Sequence, residues 1–255
     1  MKTLFKAILN FIPRPLLIRL SYVVRPVFVL LLRGKTVTDP IDNKSFRSFL
    51  PYGYATQRNN VLSPSTFSLE RHRLLWLYLK NETHFFKSHL KVLHFAPEQA
   101  FFKRFKSLKN IDYTTTDLNS PLASVKADIC NLPFADNSFD VILCNHVLEH
   151  IPDDQKALQE LYRVMKVGGW GVFQVPQDMS RETTFEDNSI TDKNQRAELF
   201  GQYDHVRIYG MDYFDTLRSV GFEVEEVDYT RTMTDEMISK YRLAKGEILP
   251  VVRKK

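Results

Sequence analysis

Asn145, His146, Glu149 and His150 fall within six residues of one another, at the end of the apolar run VILCNHVLEHIPD, residues 141–153. An amide, a carboxylate and two imidazoles so close together could bind a polar ligand or move a proton, and imidazole and carboxylate are the usual general bases. Asn145 closes an apolar strand pattern. In open parallel sheets, ligands bind outside the carboxyl ends of the strands. Two further carboxylates have comparable positions. Asp117 ends the strand-like IDYTTTD, and Asp128 precedes Ile129 and NLPF. His205, with Tyr203 and Asp204 beside it, follows a long polar segment, residues 176–209. Loops of that length inside a compact domain are usually functional or disordered.

These residues need a frame to bring them together. From about residue 69 onward, strand-like and helix-like stretches alternate, which implies an α/β fold. Strands are expected at residues 92–95, 111–117, 141–145, 170–175, 222–229 and 248–253. The pattern at 222–229 alternates apolar and acidic residues and reads as an exposed or edge strand. Helices are expected from about residue 68, at 153–165 and at 211–220, with Gly168 and Gly169 closing the second of these. Leu158, Leu161, Tyr162 and Met165 share one side of that helix and read as core positions. His72 and His84 read as surface or helix-end residues.

Composition narrows the classes. The chain has 255 residues, 44% of them hydrophobic, which suits one sizeable domain with a short extension. Cys130 and Cys144 offer neither a disulfide framework nor metal-ligand spacing. A reducing cytoplasm is the simple reading. The net charge is +5, but residues 1–35 carry seven basic residues and no acidic one. The rest is close to neutral, so whole-protein nucleic-acid binding is not indicated.

The stretch at residues 141–171 resembles the region after the fourth strand in class I S-adenosylmethionine (SAM) methyltransferases, especially the type 11 group. DICNLPFADNSFDVI resembles that family's adenine-binding segment, and KVLHFAPE its first strand and cofactor loop in altered form. The resemblance implies a Rossmann-like, doubly wound sheet of seven mostly parallel strands. It implies SAM as cofactor, held by Phe95, Ala96, Glu98, Asp117, Asp128, Ile129 and Asn145. Asp117 would accept from the ribose hydroxyls, Asp128 from the adenine amino group, and Asn145 would face the methionine part. The family's loop after the first strand is glycine-rich, whereas this one reads Ala96-Pro97-Glu98-Gln99-Ala100 and contains no glycine. In-line methyl transfer needs little covalent help, but a hydroxyl acceptor needs a base. His205 is the leading candidate, followed by His146 and Glu149.

Two segments precede the domain. Residues 37–68 resemble a zinc ribbon found before the catalytic domain in a bacterial methyltransferase subgroup, whose knuckles read Cys-Pro-x-Cys. Here those positions hold Asp39, Asp42, Ser63 and Thr66. Such a set is poor for zinc, so no metal is expected and the hairpins should persist without one. Residues 1–36 form a basic, apolar arm with no uncharged run long enough to span a bilayer. One reading of the arm is an interfacial helix pair on anionic lipid at the inner face of the membrane. The other is a helical arm packed on the main domain or on a second subunit.

The expected organisation is therefore an arm (1–36), a degenerate ribbon (37–68) and a methyltransferase domain (69–255). The subgroup's association with surface polysaccharide and lipid-linked glycan assembly makes a sugar hydroxyl or related polar group the leading acceptor. The rival readings are a methyltransferase of a soluble small metabolite and a non-catalytic binding or scaffolding module.

Overall fold

The computed structural model describes residues 14–53 and 57–255. Helix α1 spans Arg14–Leu31. Strands β1 (Arg33–Asp39) and β2 (Lys44–Phe46) form one hairpin, and β3 (Leu50–Tyr52) and β4 (Arg58–Leu62) a second. After α2 (Glu70–Asn81) come β5 (Leu90–Phe95), α3 (Gln99–Ser107), β6 (Ile111–Asp117), β7 (Val125–Lys126) and β8 (Phe139–Cys144). Then follow a 3-10 turn at Leu148–His150, α4 (Asp154–Val164) and β9 (Met165–Val172). The remainder holds β10 (Phe185–Glu186), α5 (Lys193–Phe200), β11 (Arg207–Ile208), α6 (Tyr213–Ser219), β12 (Glu223–Val227), α7 (Asp235–Tyr241) and β13 (Leu249–Arg253).

Seven strands form one sheet in the order β12-β13-β9-β8-β5-β6-β7. All neighbouring pairs from β9 to β7 are parallel, whereas β13 runs antiparallel to both β9 and β12. This is the expected doubly wound sheet, with the acidic strand β12 at its edge. The two-residue period of a strand sends alternate side chains to opposite faces. Leu93, Phe95, Ile142 and Cys144 meet Leu158 and Leu161 of α4 and Tyr213 and Leu217 of α6 on one face. Val92, Val141 and Leu143 meet Leu74, Leu75 and Tyr78 of α2 and Phe101 and Phe105 of α3 on the other. Because both faces are covered, the central strands read as continuous apolar runs.

Two local expectations change. Gly168 and Gly169 do not close a helix. Helix α4 stops at Val164, and the chain turns directly into β9, which contains both glycines. A register shift against β8 accompanies them, and Gly168 takes φ +78°. His72 is buried rather than superficial, and its Nδ1 accepts from the Leu69 N–H at 3.0 Å, capping α2. His84 is exposed, as expected.

The ribbon segment is tied to the domain by Arg73, which is fully buried. Its guanidinium donates to the carbonyls of Val61 (2.9 Å), Ser68 (2.8 Å), Tyr241 (2.6 Å) and Arg242 (2.7 Å). The buried Asp39 carboxylate accepts from Thr66 Oγ1 of the opposite knuckle, from Ser68 Oγ at 3.0 Å and from Ile41 N at 2.9 Å. Hydrogen bonds thus join the two knuckles. Of the arm, the described helix ends in an exposed apolar stripe of Val23, Val27, Leu30 and Leu31. The partner helix of the expected pair would fall in residues 1–13, outside the described residues.

Candidate functional site

The carboxyl edge of the sheet gathers the ends of β5, β6 and β8. At the end of β5, Phe95 is buried and Ala96 turns into the left-handed region at φ +45°. Glycine is the usual residue there, so this loop makes the turn with a small side chain instead. Ala96 N donates to Thr116 O at 2.9 Å, which pins the loop to β6. Glu98 occupies the N-cap of α3 without capping it. Its Oε2 lies 2.5 Å from His94 Nε2, and Oε1 lies 4.0 Å from His72 Nε2. Burial alone would raise the Glu98 carboxyl, but the attraction and hydrogen bond of His94 hold it down at about 2. His94 Nδ1 in turn faces the Tyr113 hydroxyl at 2.7 Å.

Asp117 ends β6, and its Oδ1 accepts from Asn119 N at 2.7 Å and Ser120 N at 2.5 Å. Asp128 is exposed, with Oδ1 accepting from Cys130 N at 2.9 Å. Ile129 beside it is buried in the core under β5 and β8. Asn145 is 3% exposed. Its Oδ1 is a distant acceptor for Gln174 N at 3.4 Å, and its Nδ2 has no partner at all. A buried amide donor left unpaired is costly unless a ligand meets it.

His146 follows at φ +54°, a second left-handed, non-glycine residue at a strand end. Such backbone persists where the surroundings hold it, and it clusters at functional sites. His146 Nδ1 lies 3.3 Å from Glu149 Oε1. Glu149 is 1% exposed, and neither of its oxygens has an aligned hydrogen-bond donor. His205 comes from the far end of the long polar segment. Its Nε2 lies 4.0 Å from Glu149 Oε1, and its ring meets that of His150 edge-on at 4.8 Å. Burial and the charge of Arg71 push the His146 imidazole below its ordinary range, and burial does the same to His205.

A cavity of about 330 Å³ opens beside this edge. It is lined by Arg58, Glu70, Arg71, His146, Gln174, Val175, Pro176, Gln177, Met179, Gly246, Glu247 and Ile248. His146 reaches it, whereas His205 and Glu149 do not. Sequence reasoning missed Glu247, Arg58 and Arg71. Burial raises the Glu247 carboxyl to about 7 against the lowering charge of Arg71. A topological signal could have found it. Because β13 runs against its neighbours, its start lies at the edge where β8 and β9 end. Glu247 therefore arrives at the same edge as Asn145 and His146.

Residues 87–173, which run through β5, β6, β8 and β9, match the family model described as a methyltransferase domain. That stretch, about a third of the chain, is similar to a methyltransferase domain. The sheet order is that of the class I methyltransferase fold, which a SAM-dependent methyltransferase from Mesorhizobium loti also has. That structure shares the fold at a TM-score of 0.50 and 14% identity, over 71% of this chain and 98% of its own. Among curated relatives, a 2-phytyl-1,4-naphtoquinone methyltransferase of Nostoc punctiforme is 47% identical over 47 residues, 18% of this chain and 20% of its own. An arsenite methyltransferase of Aquipseudomonas alcaligenes is 31% identical over 96 residues, 37% of this chain and 25% of its own. The chain thus spans about a fifth to a quarter of the length of these relatives. The matched stretch contains the carboxyl-edge residues from Phe95 to Glu149, while the cavity walls from Arg58, Arg71 and Glu247 lie outside it.

Proposed function

We propose that the chain is a SAM-dependent methyltransferase acting on a small polar acceptor in the cavity beside His146. The observation that carries this reading is the unpartnered, buried Nδ2 of Asn145 at the carboxyl edge of β8, within the matched stretch. An amide donor there suits the carboxylate end of SAM. Asp117 Oδ2 remains for ribose hydroxyls, since its Oδ1 is taken by backbone N–H groups. Phe95, Ala96, Asp128 and Ile129 complete the set, and the small Ala96 side chain suits close approach of the loop. The residues present therefore fit the cofactor. Glu98 is better read as a support for the loop, because its carboxylate is engaged by His94.

When bound, SAM supplies an electrophilic methyl group. The chain's own residues must hold the acceptor, exclude water and take a proton. Glu247 is the best proton acceptor for a hydroxyl. It lines the cavity, and a carboxyl raised to about 7 is matched to work near neutrality. His146 borders the same space and fits a positioning role. His205, the leading candidate by sequence, is not part of that lining and gives way to Glu247.

The walls favour a polar acceptor, since two arginines, two glutamates, two glutamines and a histidine outnumber the apolar residues. A sugar hydroxyl belongs to that class. The acceptors named for the relatives are a naphthoquinone and arsenite, so a place in polysaccharide or lipid-linked glycan assembly has no support there. Calorimetric titration with SAM and S-adenosylhomocysteine is the test. Micromolar binding of both is expected. No binding at millimolar SAM would leave only a non-catalytic scaffold.

The arm supports a second element of the reading. No described helix is long and apolar enough to cross a membrane. Val23, Val27 and Leu30 recur at helical spacing and are 72%, 55% and 73% exposed. With seven basic residues nearby, this stripe fits peripheral binding to an anionic membrane.

A further inference from the structure

We infer that Glu149, His150 and His205 form a binding site for one divalent transition-metal ion. The three side chains offer ligating atoms that all lie within 4.8 Å of one another. An independent observation points the same way. The Glu149 carboxylate is 1% exposed, and neither oxygen has a hydrogen-bond partner. A buried carboxylate that has His146 Nδ1 at 3.3 Å but no aligned donor calls for a further countercharge. Arg207, whose guanidinium reaches the turn that carries Glu149, is engaged elsewhere. It donates to the carbonyls of Leu148 (3.1 Å), Ile151 and Pro152 (2.9 Å), and pairs with Glu186 at 2.9 Å.

The imidazoles are oriented as metal ligands usually are, with one ring nitrogen on a main-chain carbonyl and the other left as a donor to the ion. His205 Nδ1 donates to Phe200 O at 2.9 Å, and His150 Nδ1 to Asp204 O at 3.2 Å. Each therefore keeps Nε2 as its lone-pair nitrogen. The two segments that bear the ligands are also stitched together, since Val206 N donates to Glu149 O at 2.9 Å. Arg207 clamps the turn that carries Glu149 and His150. The site is thus braced from both sides before any ion enters. Ligand atoms around a metal with bonds of about 2.0–2.2 Å sit roughly 3–3.5 Å apart, so closing from the present spacing takes only small side-chain rotations.

Two imidazoles and one carboxylate suit zinc, iron, cobalt or nickel rather than magnesium or calcium, which prefer all-oxygen sets. Three ligands leave open positions. His146, 3.3 Å from Glu149, lines the cavity, whereas the three ligands do not. The site lies far along the chain from the knuckle positions of Asp39, Asp42, Ser63 and Thr66, for which no metal is expected. The inference does not depend on methyl transfer.

The test uses the full chain after chelator treatment, titrated with Zn²⁺ and, separately, Co²⁺. Calorimetry should show one equivalent bound, and Co²⁺ should give a visible absorption band. Zn²⁺ should raise the midpoint of thermal unfolding. His205→Ala, Glu149→Gln and His150→Ala should each weaken Zn²⁺ at least tenfold. His150 is partly exposed, so its variant tests the site even where the buried ones fold poorly, and circular dichroism checks each. No binding of either ion, or wild-type affinity in all three variants, would overturn the inference. So would binding lost only in His72→Ala or His94→Ala, which would place the ion at the other histidine–glutamate cluster.

Discussion

The His94 imidazole, on strand β5, reaches past the cofactor loop to the Glu98 carboxylate, with Nε2 and Oε2 2.5 Å apart. The contact spans the turn at Ala96-Pro97, so it braces the one segment where this chain departs from a glycine-rich loop. Glu98 is held at about 2 in the folded chain, below its ordinary value. Its contribution to stability is therefore full above the ordinary carboxylate range and is lost as pH falls toward about 2. Glu98→Gln should cost about 1–3 kcal/mol at pH 7, the range for a hydrogen bond to a charged group. It should also flatten the acid side of the stability curve. Denaturant unfolding at several pH values measures both. A large loss of SAM affinity with unchanged stability would instead make Glu98 a cofactor ligand.

Asn145→Ala should behave in the opposite way. Its Nδ2 has no partner within the protein, so little stability is at stake. SAM affinity should fall by about 1–3 kcal/mol, or roughly 5–150-fold. Asp128→Ala should have an effect of similar size. Isothermal titration of both variants, with thermal melts as controls, decides this. Wild-type affinity in Asn145→Ala would remove the main support for the cofactor assignment.

Glu247 gives a pH signature that needs no acceptor. Its folded value, about 7, lies above its ordinary one. Folding thus favours the protonated form. Stability should be greatest below the ordinary carboxylate range and decline as pH rises to about 7, levelling off above it. Glu247→Gln keeps the shape and removes the charge, so it should abolish that decline and be more stable than wild type at pH 8. Parallel curves for the two proteins would refute the raised value.

Asp39 should be structurally expensive to remove. It is fully buried and accepts from Ile41, Thr66 and Ser68. Asp39→Ala leaves these donors unpaired and should destabilise by about 2–4 kcal/mol, since each unsatisfied buried group costs about 1–3 kcal/mol and the effects are not additive. Urea unfolding measures the change.

The arm should pellet with anionic vesicles and release as salt rises, because screening weakens the electrostatic part. Val27→Glu places a negative charge on the exposed stripe and should abolish pelleting without changing the fold. Equal pelleting with neutral and anionic vesicles, or none with either, would count against membrane binding.

The local chain determined much of this protein. The apolar runs at β5 and β8 are readable because strands covered on both faces must be largely apolar. Asp117 and Asn145 were readable as strand-end polar residues for the same reason, since a polar group has little place inside such a strand, whereas Asp128, beyond the end of β7, was marked only by the resemblance of its segment. Gly168 and Gly169 misled. Glycine marks both a helix end and an irregular strand, and only the pairing of β9 with β8 separates the two. The cavity was not legible. Arg58 and Glu247 are separated by most of the chain and meet because β13 runs backwards through the sheet and Arg73 ties the ribbon to α7. The exclusion of His205 from the cavity was equally a matter of packing. Its ring donates to Phe200 O and lies 4.0 Å from Glu149, contacts that span 5 residues in one case and 56 in the other, and no local pattern records the second.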